Sequence, residues 1–337
     1  MKALVTGASG FVGRYMMIEL ALNGYSVTGI DIAEEMDDSV LNETLRWTMK
    51  DSHLGLEQLE ISYENCDILD RGSLYGIIER VKPDIIVHLA AQSSAARSFL
   101  NPRETFEVNL FGSLNLFEAL KEYRSGRNDE VSIRVLSIGS SDEYGQKGKE
   151  FMPLKEDTPL DPVSPYAISK VAQEMLAKNY FQSYQLEIVS TRSFNHTGPM
   201  QRESFVLPSL AKQCAMIRAG IADPIIRVGN IDVVRDFMDV RDTVKAYRLL
   251  LQKGRAGDVV NVCSGSGFKI ADALSRLIEL AGIDVKVVRD DTLLRPVDIP
   301  VLIGNNDRLC SITGWKRDYS MDDTLSDLLE FWTRKVA

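Results

Sequence analysis

At 337 residues, 45% apolar and 26% charged, the chain can bury a full α/β core with room for a second lobe, and its composition excludes the disordered and fibrous classes. A net charge of −9 without any lysine or arginine run excludes general nucleic-acid binding, because a phosphate backbone needs a basic face. The four cysteines (Cys66, Cys214, Cys263, Cys310) form no CxxC pair and only three histidines occur (His53, His88, His196), so the expectation is reduced thiols in a cytoplasmic protein, with no disulfide frame and no metal centre.

The opening MKALVTG already reads as a strand, so no signal peptide is expected, and no apolar run approaches the length that spans a bilayer. From there, β-rich runs (KALVT, SVTGI, IIVHLA, RVLSIG, EIVSTR) alternate with helical patterns through the first 190 residues. The helical patterns include GRYMMIELALNG, TFEVNLFGSLNLFEALKEY and YAISKVAQEMLAKNYFQSY. Such alternation predicts parallel strands joined by right-handed crossovers: an α/β fold with a doubly wound, Rossmann-type parallel sheet. The stretch 33 to 60, rich in Asp and Glu, reads as a mobile surface insertion. After Arg192 the pattern loosens into segments such as NHTGPMQRES and LLRPVDIP, broken by one regular helix–strand unit, RDTVKAYRLLLQKG then DVVNVCS. The expected organisation is a Rossmann domain over 1–192 plus 235–262 and a smaller α+β lobe over 193–234 plus 263–337.

Between the first strand and helix, VTGASGFVG sets Gly7, Gly10 and Gly13 in a GxxGxxG pattern. Side chains there would hold the backbone away from a pyrophosphate drawn to the helix N-terminus, so the pattern points to a dinucleotide; an ordinary tight turn is the plainer alternative. Asp31, 18 residues beyond Gly13 at the end of the second strand, is placed to accept from the adenosine ribose hydroxyls and to repel a 2′-phosphate. That favours NAD(H) and leaves NADP(H) open, and a solvated loop carboxylate is the alternative, since DIAEE continues the acidic run. Asp67, in CDILD after the third strand, is placed to address the adenine, and HLAAQSS (88–94) ends the fourth strand where a dinucleotide would cross the sheet. Taken singly, each of these also reads as a strand-end turn.

In SPYAISK, Tyr166 and Lys170 stand four apart and share a helical face. An ammonium near a phenol lowers its pKa from about 10, which suits proton exchange nearer neutrality. YRLLLQK is a near repeat elsewhere in the chain, so the spacing needs a third partner. LSIGSSDEYG supplies one: Ser140 and Ser141 follow the C-terminal end of the fifth strand, where catalytic groups of open α/β sheets gather, and Ser140 is expected to hydrogen-bond a reacting oxygen or else to cap the strand end.

GxxGxxG at 7–13, HLAA at 88, Asn109 in VNLFGSLNL, SS before EYG at 140 and YAISK at 166 together resemble the extended short-chain dehydrogenase/reductase family, over nearly the whole chain. That family modifies nucleotide-activated sugars with a Ser/Thr–Tyr–Lys triad beside the nicotinamide. The resemblance implies a catalytic Ser140, Tyr166 and Lys170. It implies cofactor contacts from Gly7, Ser9, Gly10, Phe11, Val12, Gly13, Asp31, Asp67, Ile68, Leu89, Ala90, Ala91, Asn109, Ser137, Tyr166, Lys170 and Phe194, and substrate contacts from Ser93, Ser140 and Ser141.

RSFNHTGPMQRESFV (192–206), VGNIDVVRDFMDVRD (228–242), VVNVCSG (259–265) and LLRPVDIPVLIGNNDRL (293–309) are similar to the GDP-4-keto-6-deoxy-D-mannose reductases, which make GDP-D-rhamnose and share their framework with the GDP-mannose 4,6-dehydratases. By that resemblance the substrate is a GDP-sugar: Asn195 holds sugar or phosphate, Val206 and Lys212 line the nucleotide pocket, and the guanidinium forks of Arg235 and Arg295 grip the diphosphate. Salt bridges are the alternative for both arginines. Asp142 falls where the sugar dehydratases of the family carry the carboxylate that removes the C5 proton, which makes it a candidate catalytic residue; a turn-capping aspartate is the plainer reading. It keeps open a dehydratase or epimerase with tightly bound NAD, and Asp31 with the long 33 to 60 stretch leans the same way. Met200 stands where a glycine is more usual, and His196 reads as a structural hydrogen-bonder. The resemblance also implies a homodimer through the helices at 104–123 and 165–183, whose apolar stripes fit plain core packing as well. A non-catalytic dinucleotide sensor is the reading from another class; such relatives typically lose the tyrosine or the lysine, and this chain keeps both.

Overall fold

The computed structural model describes residues 1–49, 54–125, 132–146, 150–294 and 299–337. The first strand, β1 (Lys2–Thr6), sends Ala3 and Val5 into one hydrophobic core and Leu4 into another, the two-sided burial that a central parallel strand requires. Beside it run β2 (Ser26–Asp31) and β3 (Ile61–Asn65) on one side, and β4 (Ile85–His88), β5 (Arg134–Ser140), β6 (Glu187–Ser193) and the late strand β10 (Val259–Val262) on the other. The order is β3-β2-β1-β4-β5-β6-β10 with every pair parallel. Strand order reverses between β1 and β4, so a crevice opens at their C-terminal ends, the usual ligand site of such sheets.

Helices α1 (Phe11–Leu22), α2 (Asp38–Thr48) and α9 (Val240–Lys253) cover one face. On the other face lie α3 (Arg71–Val81), the short α4 (Ala95–Leu100) and α5 (Pro102–Phe106), α6 (Gly112–Ser125) and the 20-residue α7 (Pro165–Tyr184). A single π-type turn, Glu107–Phe111, joins α5 to α6, so the helical pattern at 105–123 is one bent run.

The smaller lobe is built from β7 (Asn195–Thr197), α8 (Val206–Arg218), β8 (Ile225–Val228), β9 (Val234–Asp239), β11 (Gly267–Lys269), α10 (Ile270–Ala281), β12 (Lys286–Arg289), β13 (Val301–Leu302), α11 (Asp307–Thr313) and α12 (Met321–Val336). There β9 pairs with β7, β11 and β13, and β8 pairs with β12. Strand β9 belongs to this small sheet, and α9, which begins at Val240, follows it back to the layers of the large sheet.

Within the stretch 33 to 60, of which 50–53 lie outside the described residues, α2 departs from the expectation of a surface insertion. Leu41, Leu45 and Trp47 of α2 are buried, the Trp47 ring stands edge-on to Phe331 at 6.3 Å, and the Trp47 carbonyl accepts from Arg241 at 3.1 Å. Arg241, itself buried, also bonds Asp239 and Asp327 at 2.7 Å each, so one guanidinium ties α2, α9 and α12 together. The acidic residues made this helix look solvated, whereas its apolar residues share one face. No helix among the described residues is long and apolar enough to cross a membrane.

Candidate active site

The β1–α1 turn is shaped by its glycines. Gly7 has φ +72°, a conformation costly for any residue with a Cβ, and a Cβ there would stand 2.7 Å from the Ala90 amide nitrogen. A Cβ on Gly13 would stand 2.1 Å from the Gly7 carbonyl oxygen, so the turn closes directly onto the helix. Gly10 leaves the N-terminus of α1 without a side-chain cap, and the first amides, from Phe11 and Val12, open the helix into the crevice. Asp31 ends β2 beside this turn: its Oδ2 accepts from the Ser9 amide at 3.0 Å and the Ser9 hydroxyl at 2.6 Å, and its Oδ1 accepts from the Ile32 amide at 2.8 Å. Asp67 is exposed and accepts from the Leu69 amide at 2.9 Å, while Ile68 is buried under Gly112. Leu89, Ala90 and Ala91 follow β4 half-buried across the crevice, and Ser93 is exposed just beyond.

The candidate reacting groups lie at the C-terminal end of β5 and the start of α7. Ser140 is its last residue and caps the short turn Ser141–Tyr144, accepting from the Asp142 amide at 3.2 Å, while the Ser140 amide donates to Glu143 Oε1 at 2.7 Å. The turn therefore fixes Ser140 from both ends. Ser164 caps α7 by accepting from the Ala167 amide at 3.1 Å, and Pro165 occupies the first helical position, which sets Tyr166 in the opening turn facing β5. The Ser140 hydroxyl lies close enough to the Tyr166 phenol to favour its ionised form. Burial, followed by the charge of Asp142, pushes this phenol well above its ordinary pKa, and Ser140 offsets only part of that. For the resting phenol the expected lowering by Lys170 is thus corrected: burial dominates. The Lys170 ammonium donates to the Ile138 carbonyl at 2.8 Å and to Gln173 Oε1 at 2.9 Å, and burial lowers its own pKa to about 8.

Around these groups the polar atoms form a continuous protein network. The Ala90 amide donates to the Thr6 hydroxyl at 3.1 Å, which pairs with His88 Nδ1 at 2.9 Å; His88 Nε2 pairs with the Ser113 hydroxyl at 2.9 Å, and that hydroxyl donates to the Asn109 carbonyl at 2.6 Å. Ser113 has one hydrogen and spends it on Asn109, so His88 must be the neutral Nε2–H tautomer, with Thr6 donating to Nδ1. Burial lowers the His88 pKa to about 3. Asn109, on the π-type turn, accepts from the Gln92 amide at 2.7 Å and donates to Ser169 Oγ at 2.9 Å, and Ser169 donates to the Tyr166 carbonyl at 2.7 Å. With no exposed surface, Asn109 braces β4 against α7. Ser137 is equally deep and accepts from Gln173 Nε2 at 2.9 Å.

The model of the family described as GDP-mannose 4,6 dehydratase matches residues 4–328. The chain belongs to that family. The GDP-6-deoxy-D-mannose reductase of Pseudomonas aeruginosa is 33% identical over 99% of this chain and 98% of its own. The GDP-mannose 4,6-dehydratase of Vibrio cholerae is 26% identical over 97% and 92%. Among solved structures, RMD from Pseudomonas aeruginosa complexed with NADPH superposes with a TM-score of 0.82 at 32% identity, covering 99% of both chains. A UDP-glucose 4-epimerase from Thermotoga maritima, with UDP-glucose, reaches a TM-score of 0.83 at 25% identity over the full length of both.

In this member of the family the candidate residues of the small lobe are less buried. Asn195 is exposed on β7, and Val206 is 40% exposed as the first residue of α8. Lys212 pairs with Glu203 at 3.1 Å and lies over the Trp332 ring at 5.3 Å, a surface arrangement of α8 against α12. Arg235, half-buried on β9, donates to the Val234 carbonyl at 3.0 Å; Arg295 lies outside the described residues. Phe194 is buried against Tyr144, with ring centroids 6.2 Å apart. His196 stacks on Phe11 at 6.4 Å and pairs with the Phe194 carbonyl at 3.1 Å, a structural role.

Glu143, Glu174, Arg192 and Gln173 went unseen in the sequence. Arg192 holds Glu174 with two bonds of 2.9 and 2.8 Å, and Glu143 Oε2 stands 3.8 Å from the same guanidinium, buried and without a hydrogen bond among the described residues. Burial and the neighbouring Glu174 push the Glu143 carboxyl well above its usual pKa. Gln173 lies three residues beyond Lys170 and seven beyond Tyr166, a spacing that would have placed it on their helical face.

Proposed function

We propose that this protein reduces the 4-keto group of GDP-4-keto-6-deoxy-D-mannose to give GDP-D-rhamnose, using a reduced nicotinamide dinucleotide. The observation that carries the reading is the Ser140–Tyr166 pair, whose phenol is held in its acid form at a sheet-end crevice. End-to-end likeness to a GDP-6-deoxy-D-mannose reductase supports the choice of substrate.

A bound nicotinamide would supply the hydride for the keto carbon. Ser140 donates a hydrogen bond to the keto oxygen, polarising it, and Tyr166 gives that oxygen its proton. The carbonyl becomes a secondary alcohol and Tyr166 becomes phenolate. Lys170, cationic below about pH 8, stabilises that phenolate until solvent returns the proton. The uncapped α1 N-terminus and the glycine turn fit a pyrophosphate, and Asp31 fits the adenosine ribose hydroxyls. Nothing basic follows Asp31 in DIAEE to take a 2′-phosphate, so NAD(H) is the preferred cofactor in this reading.

Purified protein incubated with GDP-4-keto-6-deoxymannose should oxidise NADH, with the product identified by mass spectrometry and NMR. Conversion of GDP-mannose without added reductant would overturn this in favour of a 4,6-dehydratase. Asp142, close enough to Tyr166 to raise its pKa, is the group that favours that second reading, as the base for a C5 proton. We further place the enzyme in the cytoplasm, on its free cysteines, and assign it a homodimer through α6 and α7, supported by Phe111, Ile168 and Met175, which are 51, 44 and 63% exposed there.

A further inference from the structure

We propose that Gln173 is a positioning residue for the reaction: its side-chain amide, anchored on Ser137, fixes the Lys170 ammonium at the end of β5 beside Tyr166. The inference rests on the reading of Lys170 as the cation that serves Tyr166. Gln173 is only 2% exposed, and both ends of its amide are committed: Oε1 accepts from Lys170 Nζ at 2.9 Å and Nε2 donates to Ser137 Oγ at 2.9 Å. The orientation follows from chemistry, because an ammonium only donates and so must face the amide oxygen. The Ile138 carbonyl takes a second hydrogen of Nζ at 2.8 Å. One N–H then remains for the crevice, and among the described residues no other hydrogen bond to Nζ competes for it.

A neutral amide suits this position because of the charges already there. Lys170 is faced by His88 from β4 and by Glu143 from the turn after β5; Glu143 in turn meets the Arg192–Glu174 pair of β6 and α7, while Asp142 and Tyr247 act on Tyr166, one helical turn before Lys170. Burial pulls the ammonium down to about 8, against the upward push of Glu143. A carboxylate at 173 would hold the ammonium fully charged, and an apolar side chain would desolvate it further. The amide satisfies the cation and leaves it able to respond to a phenolate one turn away.

Two near-isosteric variants, Gln173→Leu and Gln173→Glu, test this with two readouts. With [ε-13C]lysine labelling, the Lys170 signal, assigned by its loss in Lys170→Arg, should titrate about one pH unit lower in Gln173→Leu and about one unit higher in Gln173→Glu than in the unaltered protein. The alkaline limb of kcat/KM for the keto-sugar should move in the same two directions, with kcat falling several-fold in Gln173→Leu and KM for the cofactor little changed. A purely structural glutamine would lower stability in both variants without opposite shifts. Unmoved NMR titrations in folded variants would overturn the inference. Opposite NMR shifts with an unmoved kinetic limb would instead overturn the catalytic reading of Lys170, and the positioning of its ammonium by Gln173 would stand.

Discussion

The floor and the wall of this crevice are built differently. On the floor, at the ends of β1, β4 and β5, Thr6, His88, Asn109, Ser137, Ser140, Lys170 and Gln173 are all buried and bonded to one another or to backbone. On the small lobe, which the proposed reading makes the wall, Asn195 and Val206 are exposed and Lys212 pairs with a surface glutamate. A buried polar group costs far more to misplace than an exposed one, so the floor has one arrangement and the wall can adapt. In the proposed reaction, proton transfer belongs to the rigid part, where tenths of an ångström count, and recognition of the nucleotide-sugar belongs to the adjustable part.

The largest effect should come from the centre of the floor. Tyr166→Phe removes the proton donor and leaves the ring, so kcat should fall by about 10²–10⁴-fold while cofactor affinity, measured by fluorescence titration, stays within about twofold. Near-normal turnover would end the comparison, since the floor would then not carry the chemistry.

Acid should act on the same floor through stability. His88 is neutral in the folded protein down to about pH 3 and gains a proton below about pH 6.5 when unfolded. Between those values the unfolded state binds the extra proton, so stability is lost as pH falls. The loss should reach roughly 3 kcal/mol by pH 4. Urea unfolding at pH 7 and pH 4 measures it, and a His88→Gln variant, though less stable at pH 7, should lose correspondingly less on acidification. Equal losses in the two proteins would mean that the imidazole is protonated in the fold and the network less closed than described.

The floor and its sheet were largely legible in the sequence, and the wall was not. GxxGxxG and HLAA sit at strand ends whose β-rich runs and crossovers follow a simple period, and YAISK opens the helix α7, so the strands and the elements that carry Ser140 and Tyr166 could be read directly. What periodicity does not carry is long-range pairing. Arg241 meets Trp47, Asp239 and Asp327 only once α2, α9 and α12 have packed, and α2 was therefore mistaken for a surface insertion. The resting Tyr166 pKa departs from expectation for a related reason: i, i+4 spacing brings Lys170 to the right face but does not show how deeply the phenol is buried, and burial outweighs the rest. Glu143, next to a tyrosine in an acidic turn, gave no sign that it would be buried beside Arg192.

A smaller effect is expected at the cofactor end. Asp31→Ala should raise KM for NADH about tenfold by removing a charged acceptor, and should lower KM for NADPH, since the carboxylate no longer opposes a 2′-phosphate. A parallel rise for both cofactors would place Asp31 in the turn, through its bonds to Ser9, and not in ribose recognition.

The smallest effect belongs to the wall. Lys212 and Glu203 form a pair whose side chains are 33% and 56% exposed, the kind of contact that contributes about 0.5 kcal/mol and fades with salt. Lys212→Ala should therefore change stability by no more than about 1 kcal/mol, part of it from the lost contact with the Trp332 ring. If Lys212 leaves Glu203 to meet a nucleotide phosphate, the variant should raise KM for the GDP-sugar a few-fold, more so at low ionic strength, with kcat unchanged. A KM identical to that of the unaltered protein at every salt concentration would confine Lys212 to the α8–α12 contact and move the phosphate-holding part of the wall to the β9 side, where Arg235 stands.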